Sequence, residues 1–246
     1  MPMINVSDTY GVRVIQLNRP EKLNALNLAM YQQLTAALIS ADATDEIHAI
    51  VLHGTKHCFT AGNDVGDFLS SGELTHEHPA VQFLFTLVNL QKPLLAAVSG
   101  PAIGIGTTLL LHCDLVFADT TAEFQLPFVD LALVPEAGAS MLLPQLVGYP
   151  RAAELLLTGE RFSAMQARGY RIINDVLSDD ELLEHTLTKA KLIASKPPIA
   201  VQQTKALLKP WKAELSAHMQ RELACFGERL QSDEAKQIFQ RFLLQH

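Results

Sequence analysis

Gly100-Pro101-Ala102-Ile103-Gly104-Ile105-Gly106-Thr107-Thr108 decides the fold. It follows the apolar run Leu94-Leu95-Ala96-Ala97-Val98, which reads as a buried strand, and it leads into residues 106–113, which read as a short buried helix. A glycine-rich junction from strand to helix leaves the first helical amides unpaired and places the positive end of the helix dipole there. Such a corner can receive an oxygen that carries or develops negative charge. No Gly-Lys-Ser/Thr follows, so the stretch is not a Walker loop, and its glycine spacing does not meet the dinucleotide fingerprint. Residues 93–113 carry no formal charge and are long enough to suggest a membrane span. Pro93, Gly100, Pro101, Gly104 and Gly106 would break any such helix repeatedly, so strand, turn and helix start explain the run better and no membrane is expected as a partner.

On either side of this junction the pattern alternates. Residues 12–17 read as a strand ending at the turn Asn18-Arg19-Pro20, and Asn27 caps a helix whose apolar positions are Tyr31, Leu34, Leu38 and Ala41. Residues 49–52 read as a buried strand, the polar stretch 66–78 as a mobile loop, 80–90 as a helix and 115–118 as a further strand. Strands alternating with helices predict an α/β domain. Beyond Pro144 only helices are expected, at 151–157, 163–169, 181–194, 198–208, 213–230 and 233–244. The predicted division is a core over 1–190 and a helical region over 191–246. The last two helices carry Leu215, Met219, Leu223, Phe226 and Leu230, then Ile238, Phe239, Phe242 and Leu243, more apolar surface than a small appendage hides, so a partner surface is expected.

Composition narrows the function. The 246 residues hold 19 Lys and Arg against 26 Asp and Glu, a net charge of −7, which argues against a surface that tracks nucleic acid. Hydrophobic residues at 48% and charged residues at 18% exclude a disordered chain. Cys58, Cys113 and Cys225 are odd in number and lack C-x-x-C spacing, which fits a reduced, cytoplasmic setting, as does the absence of a leader pattern before Gly11 or a Ser-Lys-Leu terminus. His76-Glu77-His78 alternates histidines with an acid, but no further ligand is near in sequence and no metal is expected.

A second glycine turn, Phe59-Thr60-Ala61-Gly62-Asn63-Asp64, lies about forty residues before the first and also leaves a hydrophobic strand. Taken alone it reads as a tight turn with Asp64 capping the next helical turn. Together with Leu17-Asn18-Arg19-Pro20-Glu21-Lys22-Leu23-Asn24-Ala25-Leu26, Cys113-Asp114-Leu115-Val116-Phe117-Ala118 and Leu133-Val134-Pro135-Glu136-Ala137-Gly138-Ala139-Ser140, the two loops form an ordered set. In these segments the chain resembles the crotonase superfamily, the enoyl-CoA hydratase and isomerase group, over essentially its whole length. The resemblance implies a spiral of strand-strand-helix units followed by trimer-building helices, giving a homotrimer or a dimer of trimers. It implies an acyl-CoA thioester substrate, with CoA arriving on the substrate and no separate cofactor, and a carbonyl oxygen held by two backbone amides. By position these amides are those of Asn63 and Ile105; the family commonly has glycine where Ile105 stands. Lys22, Ala25, Ala61, Gly62, Asn63, Asp64 and Val65 fall at CoA-contacting positions, and Gly104, Thr108, Leu126 and Phe128 at the acyl pocket.

The acids separate the branches of the family. Hydratases carry two glutamates whose positions are here Thr108 and Phe128, neither of which serves as a general base near neutral pH. Glu136 matches instead the single acid of the enoyl-CoA delta isomerases, and Phe124-Gln125-Leu126-Pro127-Phe128 and Asn63-Asp64-Val65 look like that branch. The expectation is an isomerase with Glu136 as acid and base, its proton affinity raised by Leu126 and Phe128. The alternatives are an enoyl-CoA hydratase and a non-catalytic acyl-CoA-binding homologue. Without the resemblance, Glu136 reads as a solvated carboxylate in the first turn of a helix over 137–146. The family usually has glycine where Arg171 stands.

Overall fold

The computed structural model describes residues 2–70 and 73–245, with no account of the side chains at 68–70 and 242–245. A six-stranded sheet forms the base, in the order β1-β2-β3-β4-β6-β9. β1 (Ile4–Thr9) pairs antiparallel with β2 (Val12–Leu17). β3 (Ala49–His53), β4 (Leu94–Val98), β6 (Leu115–Asp119) and β9 (Asp175–Leu177) then add in parallel. The chain returns between these strands through a second, smaller layer of β5 (Pro101–Ile103), β7 (Glu123–Gln125) and β8 (Phe162–Ser163). Single bridges extend this layer, Thr60 beside Ala102 and Leu26 beside Asn63. The chain thus places β3 and then Thr60, β4 and then β5, β6 and then β7, alternately in the two layers. This is the strand-strand-helix spiral expected from the sequence.

The period-two alternation of strand side chains divides the core. Ile50, Leu52, Leu94, Ala96 and Val98 face the main core. Ala49, Val51, Leu95 and Ala97 face the other side and meet Leu182, Ala190 and Ala194 of α8 (Asp179–Ala194). The division expected at residue 190 falls inside this helix. On the main side lie α1 (Leu28–Ala43), capped by Asn27 as expected, and α3 (Pro79–Asn89), capped by His78. Lys205 and Lys209 hold Asp114 between them at 2.8 and 2.9 Å, tying α9 (Pro198–Leu208) and the residue after it to the start of β6.

Several expectations need correction. Residues 65–70 form a short helix, α2 (Val65–Ser70), where a loop was expected; Ser71 and Gly72, also in that loop, lie outside the described residues. The segment beyond Pro144 is not purely helical, because β8 and β9 complete the two sheets. Two or three residues are too few to show a strand period. α5 (Ala139–Val147) starts two residues later than read, since Ala137 and Gly138 are left-handed, with φ of +59° and +73°. The apolar stripe of α10 (Lys212–Leu230) is covered in large part by the chain itself, with Leu223 and Leu230 half-buried. Leu215, Met219 and Phe226 are buried against the chain's own body, and α11 (Asp233–Gln245) places Phe239 there too. Phe242 and Leu243 lie outside the described side chains. Exposed apolar side chains occur elsewhere, at Ile199, Leu207 and Leu208 of α9. No described helix is long and apolar enough to cross a membrane.

Candidate active site

The first loop is built on a buried asparagine. The Asn24 Nδ2 group donates to the carbonyls of Cys58 and Phe59 at 2.9 and 3.1 Å, and its Oδ1 accepts the Arg19 amide at 2.7 Å. Thr60 Oγ1 donates to the Asn24 carbonyl at 2.7 Å and accepts from the Gly62 amide at 3.1 Å. Leu26 bonds the residues on either side of Asn63, its amide to the Gly62 carbonyl at 2.7 Å and its carbonyl to the Asp64 amide at 2.9 Å. In a parallel pairing this leaves the amide of Asn63 itself directed away from Leu26. Gly62 has φ of +96°, and a Cβ there would lie 2.9 Å from the Ile103 carbonyl oxygen, so a side chain does not fit.

The second loop is laced to the first. The Thr60 amide donates to the Pro101 carbonyl at 2.9 Å and the Ile103 amide to the Thr60 carbonyl at 3.1 Å. Gly104, with φ of +56°, turns the chain into α4 (Ile105–Thr108), and a Cβ on Gly106 would come within 2.7 Å of Thr60 Cγ2. Ile105 is the first helical residue, so its amide has no intrahelical acceptor. Among the described residues neither the Asn63 nor the Ile105 amide donates to a protein acceptor.

Glu136 stands before α5, on a turn and not in the helix. It is only 6% exposed, which removes the solvated-carboxylate reading. Its Oε1 accepts from Thr108 Oγ1 at 2.6 Å. The carboxyl reaches a small cavity whose apolar wall is Leu74, Val81, Leu84, Leu223 and Phe226, with Asn63 and Tyr31 on the polar side. Burial pushes Glu136 up to about 8; the Thr108 hydrogen bond opposes the rise and the negative charge of Glu222 adds to it. Tyr31 donates its hydroxyl to Asn63 Oδ1, and its own ionisation is pushed well above the usual value by burial and then by Glu136.

The structure therefore brings Asn63, Thr108 and Glu136 together. Leu126 and Phe128 are buried in the core and do not line this cavity, whose apolar wall comes from α3, α10 and Leu74. Lys22 is exposed on a single 3-10 turn, and Ala25 gives its carbonyl to Arg19 at 3.0 Å. The Ala61 amide bonds the Leu23 carbonyl at 2.9 Å. Asp64 pairs with Arg19 at 2.7 Å and accepts the Asp67 amide, capping α2 as its local sequence suggests. Val65 packs against the core. His78 of the His-Glu-His run accepts the Ala80 amide at the start of α3.

Two residues at the site were not foreseen, Tyr31 and Glu222. Glu222 had a visible signal: three residues after Met219 and four before Phe226, it is a carboxylate on the buried face of an apolar helix.

The sequence and the spiral match known proteins. The sequence profile described as enoyl-CoA hydratase/isomerase matches residues 8–245. Enoyl-CoA delta isomerase 2 of Rattus norvegicus is 34% identical over 238 residues, covering 94% of this chain. The chain spans only 61% of the length of that rat protein. A probable enoyl-CoA hydratase of Rhizobium meliloti is also 34% identical, over 94% of this chain and 91% of its own length. Among solved structures, Pseudomonas aeruginosa OdaA superposes with a TM-score of 0.96 at 40% identity, with 99% of each chain covered. The chain belongs to the enoyl-CoA hydratase/isomerase family and is an enzyme of that family.

Proposed function

We propose that this enzyme shifts the double bond of a 3-enoyl-CoA to the 2,3 position through a dienolate. The observation that carries the reading is Glu136, the one carboxylate among the described residues lining the cavity, hydrogen-bonded to Thr108 where a hydratase would hold a second acid. Glu136 takes a proton from the carbon beside the thioester. The electron pair passes to the carbonyl oxygen, and the same carboxyl returns the proton two carbons further along. One acid suffices because the carbon that loses the proton and the one that gains it are two apart on the same chain.

The carbonyl oxygen gains charge during proton removal. Two amides with no protein acceptor, those of Asn63 and Ile105, suit it, and losing one such donor typically costs ~100- to 1000-fold in rate. A backbone donor tolerates isoleucine at 105. The apolar wall keeps water from the dienolate and from Glu136.

Hydration is the competing reaction, since isomerase- and hydratase-named relatives match equally well. A panel of 3-enoyl- and 2-enoyl-CoA esters decides. The expected result is conversion of a 3-enoyl ester to its conjugated isomer, loss of at least about 100-fold in kcat for Glu136→Gln, and slow or absent hydration. Rapid hydration of a short 2-enoyl-CoA, or full turnover by Glu136→Gln, overturns the reading.

A further inference from the structure

The residue before α5 is Gly138, which has no side chain to cap the first helical amides. The cap comes from a residue 84 positions away. Glu222 Oε2 accepts the Gly138 amide at 2.6 Å, and Oε1 accepts the Ser140 amide at 3.0 Å and the Ser140 hydroxyl at 2.5 Å. With 7% exposure, this is a buried carboxylate satisfied by three donors of one turn, the turn that carries Glu136.

The turn is held from its other side as well. Thr108 donates to the Glu136 carboxyl, and His112 bonds the Ala137 carbonyl at 2.7 Å. Burial pushes the His112 imidazole down to about 4, so it is neutral and donates through Nε2–H. Between these two clamps Ala137 is kept at φ of +59°, a conformation that a residue with a Cβ leaves unless its neighbours hold it.

We propose that Glu222 is a positioning residue for Glu136: from α10 its carboxylate fixes the 136–140 turn and so holds the Glu136 carboxyl at the cavity. The groups facing Glu136 are few. α1 contributes the Tyr31 phenol, α4 the Thr108 hydroxyl and α10 Glu222, while His112 of the 3-10 turn after α4 bonds the next residue's carbonyl. Behind Glu222, Arg221 donates to His218 Nδ1 at 3.1 Å, and His218 Nε2 lies 2.7 Å from the Ser140 hydroxyl, which in turn donates to Glu222. Lys205 and Lys209 face His112 and are engaged by Asp114. Among these, Glu222 supplies the negative charge that opposes ionisation of Glu136.

The kinetic arm of the test rests on the isomerase reading; the titration arm does not. Full-length protein carrying ¹³C-labelled glutamate carboxyls is titrated by NMR, with the Glu136 signal assigned by its absence from Glu136→Gln. In Glu222→Gln the Glu136 midpoint should fall, its acid constant rising at least about threefold. An unchanged midpoint in folded Glu222→Gln overturns the proposal. Glu222→Asp keeps the charge but shortens the reach, so kcat should drop about tenfold with KM within about twofold; turnover at the parent level there overturns the clamp, even if Glu222→Gln does not fold. If the parent enzyme does not isomerise 3-enoyl-CoA, the function falls and the titration still reads the link between the two glutamates.

Discussion

Glu136 keeps its proton to higher pH than a carboxyl in water, and this has consequences for rate and for stability. A base must be ionised to act, so kcat/KM for isomerisation should rise with pH to a plateau above about 8, the value to which burial pushes Glu136. Stability runs the other way. With the folded value above the ordinary 4.5, the folded chain holds the proton more tightly than the unfolded one. The stability linked to it is complete below about pH 4.5 and is lost as pH rises through about 8. Glu136→Gln has no such proton to lose and should be more stable than the parent at pH 8.5 by about 2–4 kcal/mol. Thermal melts from pH 4.5 to 8.5 should show that gap narrowing towards the acid end. Arg171 is a simpler case. It is exposed and sits just after α7 (Ala164–Gly169) at φ of +65°, which explains why glycine is usual there. Arg171→Gly relieves the left-handed strain at some cost in unfolded-chain entropy and should gain about 0.5–1 kcal/mol, read from urea denaturation.

Among the elements, the junction of β5 and α4 is the least tolerant of added volume. A Cβ on Gly106 meets Thr60, and Thr60 cannot rotate away without breaking its bonds to Asn24 and Gly62. Gly106→Ala should therefore cost about 1–3 kcal/mol and lower kcat more than a surface change of equal cost, because the displaced residue supports the Asn63 loop. Denaturant midpoints and turnover measured together check this. The same junction shows what a sequence makes legible. Gly62 and Gly106 could be read in advance because close approach of a neighbour permits little else, Gly104 because its φ is positive, and the helices because their apolar periods run for several turns. β5, β7, β8 and β9 could not, being two or three residues long and fixed by neighbours distant in sequence. Glu136 was legible as a site through the resemblance, but its surroundings were not. Leu126 and Phe128 are near it in sequence and belong to the core, whereas Leu84, Leu223 and Phe226, which do surround it, come from α3 and α10.

For the whole molecule, the burial of α10 changes what loss of the C-terminus means. Leu215 and Met219 cover Gly138, and Leu223 and Phe226 wall the cavity. A chain ending at Trp211 should be insoluble, or inactive if it is recovered, because it exposes this apolar face and leaves Glu136 open to water. Solubility and turnover of that truncation test the point. The trimer, or dimer of trimers, rests on the family resemblance and not on the α10 stripe, and light scattering on the intact protein checks it; a monomeric mass at micromolar concentration overturns it.

The position of Glu222 also bears on how the enzyme comes into being. A ribosome delivers the chain from the N-terminus at roughly 5–20 residues per second. Both glycine loops and the Glu136 turn are complete long before α10 is made. Through that interval the Gly138 and Ser140 amides lack their carboxylate, and the cavity lacks the wall formed by Leu223 and Phe226. A nascent or stalled chain thus carries the Glu136 carboxyl without part of the enclosure that raises its proton affinity. The contacts that complete this site are the last to be synthesised.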